Sequence, residues 1–406
     1  MGKTAKPGAH KWEFKARFRR GAFGWRSPPA IQRIKQAVAE IRQVARKDPV
    51  LGAEGSVTFI ERISPALEQV DSSSGAIGTA VNNALRELVP IIARAPADPK
   101  TRDAWLERLW EAHEADDIPY IERLADDWGE LCGTNELAFR WADRLLGPTR
   151  MALSPDPTLR GYFQGTSACL SSLFHSGRHA EIVELVVGDH VIWPYRRWVA
   201  LALAAMGKKA EAIHYAESCR GPWTPDSDVD ALCEEILLSS GIVDEAYERY
   251  GLRAHRGGTY LATFRAVAKK YPDKPARQVL MDLVRSTPGE EGKWFAAAKE
   301  AGFYDEAIEL ASRTPCDPKT LTRAARDLIE VQPAFATQAG LLALTWLVQG
   351  YGYEFTSADV WAAHGITIKA AEKCGNASEM RERIRKLVAG NRSGFVAQIL
   401  GRDLGS

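Results

Sequence analysis

The six cysteines of this 406-residue chain (Cys132, Cys169, Cys219, Cys233, Cys316 and Cys374) include no C-x-x-C pair. Neither a zinc ribbon nor a redox dithiol is therefore written into the sequence. Most of them fall within apolar helical patterns and read as small hydrophobes of a reduced protein, which fits a cytoplasmic setting. No run approaches the roughly 18 consecutive apolar residues of a membrane span, so no membrane partner is expected. The basic start lacks the apolar stretch of an export signal. The G-x-x-x-x-G-K-[ST] loop, G-x-G-x-x-G, H-E-x-x-H and G-x-S-x-G are all missing. With them go the usual sequence grounds for nucleotide, metal or acyl-transfer chemistry, and no catalytic residue, metal ligand or cofactor is assigned. Strict apolar/polar alternation is absent as well, which argues against a sheet.

What is there is ordinary globular composition, 45% apolar and 26% charged, with an uneven charge distribution. Residues 1–47 carry thirteen Lys/Arg against Glu13 and Glu40, a net +11; the formal total of +1 leaves −10 on the remaining 359 residues. Residues 1–26 read as an arm with one short element near 11–19. Its cations Lys11, Lys15, Arg17, Arg19, Arg20 and Arg26 alternate with aromatics that include Trp12 and Trp25. Cations neutralise phosphates and exposed rings stack on bases, so nucleic acid is one reading, through residues 1–47. An acidic protein partner is another. The arm can equally dock its aromatics on the acidic body.

Beyond the arm the periodicity is helical throughout. Ser27-Pro28-Pro29 starts a helix that runs to about Lys47, with Ile31, Ile34, Val38, Ile41 and Val44 on one face. Ser72-Ser73-Ser74-Gly75 reads as the N-cap of another, carrying Ile77, Val81, Leu85, Leu88 and Ile92. Asp98-Pro99 opens a third with Trp105, Leu106, Leu109 and Trp110. Pro65 and Pro90 fall inside helical patterns and are expected to bend or interrupt them. His113, Glu114, Asp116, Asp117, Asp126 and Asp127 form an acidic patch read as a solvated helix end and loop. Ser167, Cys169 and His175 share one amphipathic helix and read as a packed face.

The strongest signal is a repeat. GRHAEI at Gly177, GKKAEA at Gly207, GIVDEA at Gly241 and GFYDEA at Gly302 each place Glu four residues after Gly, followed by Ile or Ala. The glycines are 30, 34 and 61 residues apart, and YPDKPA at 271–276 fills the double gap. GNASEM at Gly375 is a weaker echo. In each, Gly ends one helix in the left-handed conformation and Glu opens the next at the positive end of its dipole.

These segments resemble tetratricopeptide repeats, whose inter-helix turn and second-helix start read much like GFYDEAIELA at residues 302–311. The likeness covers about residues 160–320. It implies an all-α, α-solenoid fold of antiparallel helix hairpins. The domains are then an arm (1–26), an N-terminal helical domain (27–150), the repeats (151–320) and a C-terminal capping region (321–406). The family's first-helix core positions fall on Cys169, Leu170 and Leu173, on Val199, Ala200 and Leu203, and on Trp294, Phe295 and Ala298. In the Gly241 repeat they fall on Asp230 and Glu234, a poorer match. The resemblance also implies a concave groove, with Ser171, Arg197, Lys269, Lys270 and Lys299 among its candidate contacts. The family's clamp for chaperone tails is absent, because Ser167, Arg197 and Ala231 occupy one equivalent position of it. The expected function is a non-enzymatic adaptor or scaffold for a protein partner.

Overall fold

The computed structural model describes residues 10–188, 190–256, 258–391 and 394–404. These fold as helices, with no strand among them beyond an isolated bridge between Gly221 and Thr224. The chain divides into two compact units, Met1–Pro225 and Asp226–Ser406. That division falls inside the segment assigned to repeats. Residues 1–9 of the expected arm, with Lys3 and Lys6, lie outside the described residues.

The first unit contains α1 (Glu13–Arg17), α2 (Ser27–Ala45), α3 (Pro49–Leu67), α4 (Ala76–Arg94) and α5 (Pro99–Glu114). A 3-10 turn, Glu122–Asp127, leads into α6 (Trp128–Cys132) and α7 (Asn135–Ala152). Two helix pairs complete it: α8 (Thr166–His175) with α9 (His179–Leu185), and α10 (Trp193–Ala205) with α11 (Lys209–Ser218). Local chemistry sets several starts. Asp48 and Asp98 each accept a backbone N–H of the first turn, and each is followed by a proline at the position where no N–H is needed. Helix α3 is the hub of this half, with α1, α2, α4 and α5 all packed on it. Accordingly its buried residues include Val57, Phe59, Ile60 and Ile63, on more than one face.

The arm is docked. Trp12, Phe14 and Phe18 are buried, and Phe14 and Phe18 meet Phe59 edge-on at 5.6 and 5.0 Å. Gly55 leaves the space Trp12 needs: a Cβ there would lie 2.3 Å from the indole ring. Glu40 caps α1, accepting the N–H groups of Glu13 (2.7 Å) and Phe14 (3.2 Å). Burying each aromatic contributes about 2 kcal/mol. The pairs Arg17–Glu13 and Arg20–Glu68 are exposed and screened by solvent, so they contribute little. Apolar burial, more than charge, seats the arm.

The second unit contains α12 (Asp226–Leu238), α13 (Val243–Ala246), α14 (Tyr260–Lys270), α15 (Ala276–Arg285), α16 (Phe295–Glu300) and α17 (Tyr304–Arg313). It continues with α18 (Pro318–Leu328), α19 (Pro333–Val348), α20 (Ser357–Lys373), α21 (Ala377–Ala389) and α22 (Phe395–Leu404). One apolar core runs from Tyr247 and Phe264 through Trp294 and Phe335 to Leu400.

A single turn recurs in both units. Gly177, Gly207, Gly241, Gly302 and Gly375 have φ between +73° and +82°. In each, the residue after glycine donates its N–H to the carbonyl five positions back, as Lys208 does to Leu203 at 2.9 Å and Phe303 to Ala298 at 3.0 Å. This is the Schellman closure of a helix end. Gly350 repeats it, with Tyr351 donating to Trp346 at 2.9 Å, which the sequence reading did not anticipate. The YPDKPA segment joins α14 to α15 without a glycine.

Three expectations need correction or narrowing. Gly75, at φ +68°, is the N-cap of α4 rather than a serine, with no side-chain cap bond. Neither Pro65 nor Pro90 interrupts its helix, one of the two outcomes expected there, and α7 likewise runs through Pro148. Each proline gives up one bond, to the carbonyl four residues before it, and the rest of the ladder carries the helix past it. The acidic patch is only partly solvated, because His113 and Asp116 are buried. Asp116 accepts from the Ser64 hydroxyl and from the Ile121 N–H at 2.8 Å, fixing the loop after α5.

Candidate functional site

In the first unit, a cleft of about 400 Å³ opens among the 3-10 turn before α6 and helices α4, α6, α8 and α10. Arg197, Trp198 and Leu201 of α10 form one wall, and Phe174 and His175 of α8 extend it. Asp126, Asp127 and Glu130 face them across the space. The walls are held close by a backbone fit. A Cβ on Gly129 would fall 2.3 Å from both the Ser171 carbonyl oxygen and His175 Nδ1, so α6 and α8 approach only with glycine there. Ser171, expected at the groove, is instead buried in that contact, its hydroxyl accepting the Gly129 N–H at 3.0 Å.

The charges are unevenly satisfied. Arg197 pairs with Asp126 at 2.9 Å and lies 5.1 Å from the Trp198 ring centre. Asp127 has no direct partner among the described residues. Burial, then the neighbouring Asp126 and Glu130, pushes its carboxyl up to about 6, against the pull of Arg197 and Arg123. The indole N–H of Trp198 is buried without an acceptor. The cleft therefore offers Arg197 held by Asp126, a carboxyl raised to about 6 and an aromatic wall. Among the described residues no group of three His, Cys, Asp or Glu is arranged to hold a metal ion.

The other groove candidates lie in the second unit. Lys269 is exposed and Lys299 half-buried. Lys270 donates to Glu234 at 2.6 Å. Glu234 also accepts from Tyr271 at 2.7 Å and faces His255 at 3.4 Å, while Asp230 pairs with Arg253 at 3.1 Å. The two acids that spoil the Gly241 repeat are thus buried, each with a basic partner. Burial alone would raise the Glu234 carboxyl, but the nearby His255 and the bonds from Lys270 and Tyr271 outweigh it and hold it below the ordinary glutamate range.

On the arm, Lys11, Lys15, Arg19 and Arg26 are exposed, as is Trp25 at 71%. Arg17 and Arg20 pair with Glu13 and Glu68. The sequence reading missed Arg123, Glu130 and the aromatic wall of the cleft. Asp126 and Asp127 stood out only as a charge run, and nothing local marks a carboxylate whose burial comes from α8 and α10. No protein-family model matches the chain, and no curated protein matches it.

Proposed function

We propose that the protein is a non-enzymatic, cytoplasmic adaptor of the tetratricopeptide-like α-solenoid type, binding a segment of a protein partner in the cleft beside α10. The observation that carries this reading is the cleft itself. Arg197, which the family resemblance assigns to a groove, opens onto it beside Leu201 and Trp198, together with Asp127 and Glu130, two carboxylates without a basic partner among the described residues. A polypeptide supplies the complementary groups, a basic side chain for Asp127 and Glu130 and an apolar one for the wall of Trp198 and Leu201. The recurrent Schellman turn and packing that is mostly between elements near one another in the chain support the solenoid reading.

The test is a photo-crosslinking amino acid at Leu201 in the native host. One defined partner is expected, lost when Arg197→Glu is added. Crosslinks no different from those at an exposed position outside the cleft would overturn the reading.

A second reading has its own observation. Lys11, Lys15, Arg19, Arg26, Arg33, Arg46 and Lys47 are exposed and have no acidic partner among the described residues, a surface suited to a polyanion. Burial of Trp12, Phe14 and Phe18 leaves Trp25 as the arm's exposed ring for stacking. Binding to a single-stranded oligonucleotide should then weaken steeply with salt and drop with Lys11→Glu/Lys15→Glu/Arg19→Glu. Absence of any binding at low salt excludes it.

A further inference from the structure

Elsewhere in the first unit, α2 and α4 pack side by side and leave a groove of about 610 Å³ between them, which shares Arg86 with the Asp127 cleft. Its floor is apolar, formed by Ile31, Val38, Ala80 and Ala84. Ala39 and Ala76 are exposed along it, and their methyl groups leave the channel unfilled. The lining runs from Ile31 to Arg42 on α2 and from Ala76 to Glu87 on α4, so the walls run about 17 Å. That matches the apolar face of a helix of about three turns.

The rim is cationic. Lys35, Arg42 and Arg86 border the groove, and the one acid among them, Glu87, is taken by Arg42 at 2.8 Å. Arg86 donates only to the neutral Asn83, at 2.7 Å, and Lys35 has no acidic partner among the described residues. The chain's own first nine residues carry Lys3 and Lys6 and no acid, so they do not complement this rim. None of the lining residues is aromatic, so a nucleobase has no ring to stack on.

We infer that this groove is a docking site for an acidic amphipathic helix of a protein partner. The partner lays its apolar stripe on the alanine-rich floor and sets Glu or Asp against Lys35 and Arg86. Apolar anchors at i, i+3/i+4 and i+7 supply the affinity, and the flanking acids fix orientation and exclude basic helices. Arg86 borders both this groove and the Asp127 cleft, whereas Lys35 and Ala39 line only the groove, so variants at those two positions test this inference separately.

The experiment uses the full chain and a fluorescein-labelled amphipathic peptide with a leucine stripe flanked by glutamates. Its controls are the same peptide with lysines for the glutamates, a scrambled acidic peptide, and a labelled single-stranded oligonucleotide. Saturable anisotropy with the acidic amphipathic peptide is expected, at least about tenfold tighter than with either control peptide. Lys35→Glu should weaken it about tenfold. Ala39→Trp, a solvent-exposed change that fills the channel without touching the core, should abolish it. The proposal is overturned if the acidic and basic peptides bind alike, if scrambling has no effect, or if nothing saturates. It is also overturned if Ala39→Trp binds like the parent, or if the oligonucleotide competes fully for the same site.

Discussion

Arg102 shows how a single side chain holds the first unit together. Its guanidinium is buried and donates to the carbonyls of Ile92 (3.0 Å), Ala95 (2.5 Å) and Leu131 (3.1 Å), closing the C-terminal ends of α4 and α6. Arg102→Met strands three buried acceptors and should cost about 3 kcal/mol or more, read as a lower denaturation midpoint. Two acids make opposite pH predictions. The Glu234 carboxyl is held below its ordinary value of 4.5, so its stabilisation is complete above that pH and is lost as pH falls through the lower folded value. Glu234→Gln should therefore destabilise by about 2 kcal/mol at neutral pH and flatten the acid limb of the stability profile. The Asp127 carboxyl is raised from 3.8 to about 6, so its ionisation costs stability that is fully lost above about pH 6 and not lost below about 4. Asp127→Asn should melt higher than the parent at pH 7–8 and equally near pH 4. A parent that is the more stable at pH 8 would contradict that environment.

At the scale of elements, the recurrent turn gives a clean experiment. A Cβ at Gly207 or Gly302 meets nothing within 4 Å, yet φ is +82° and +81°. Alanine there costs backbone strain without a clash, about 1–2 kcal/mol per site. At Gly133, also at positive φ, a Cβ would lie 2.8 Å from the Arg102 guanidinium. Gly133→Ala should exceed the turn variants in the same denaturation series. These turns were readable in advance because a left-handed glycine after an apolar stripe is a local requirement. Docking of α1 was not readable in that way. It depends on Glu40, 26 residues from Phe14, and on the gap above Gly55.

For the whole molecule, the two units meet in sequence at Gly221-Pro222-Trp223-Thr224-Pro225, where Trp223 is 93% exposed. Brief chymotrypsin treatment should cut after Trp223 before it cuts within either unit. The product should be two fragments, each retaining helical circular dichroism. The charge asymmetry is best understood at this scale too. The positive excess of residues 1–47 is offset only in part by Glu68 and Glu87, and the cations left over border the groove of α2 and α4 and the exposed face of the arm.

The sequence by itself determined that the chain is helical, that one helix starts at Asp98-Pro99, and where five turns close on glycine. Those are short-range free energies of capping, φ preference and apolar period, contained within a few neighbouring residues. Only the tertiary structure decided which charges became buried or paired. Asp230 and Glu234 look like faults in a repeat until Arg253 and Lys270 are brought to them. Asp127 looks like a solvated acid until α8 and α10 cover it. Trp12 looks like an exposed ring until α3 presents Gly55. In each case the deciding partner lies far along the chain, and the cost of burying a charge or the gain of burying a ring depends on that partner.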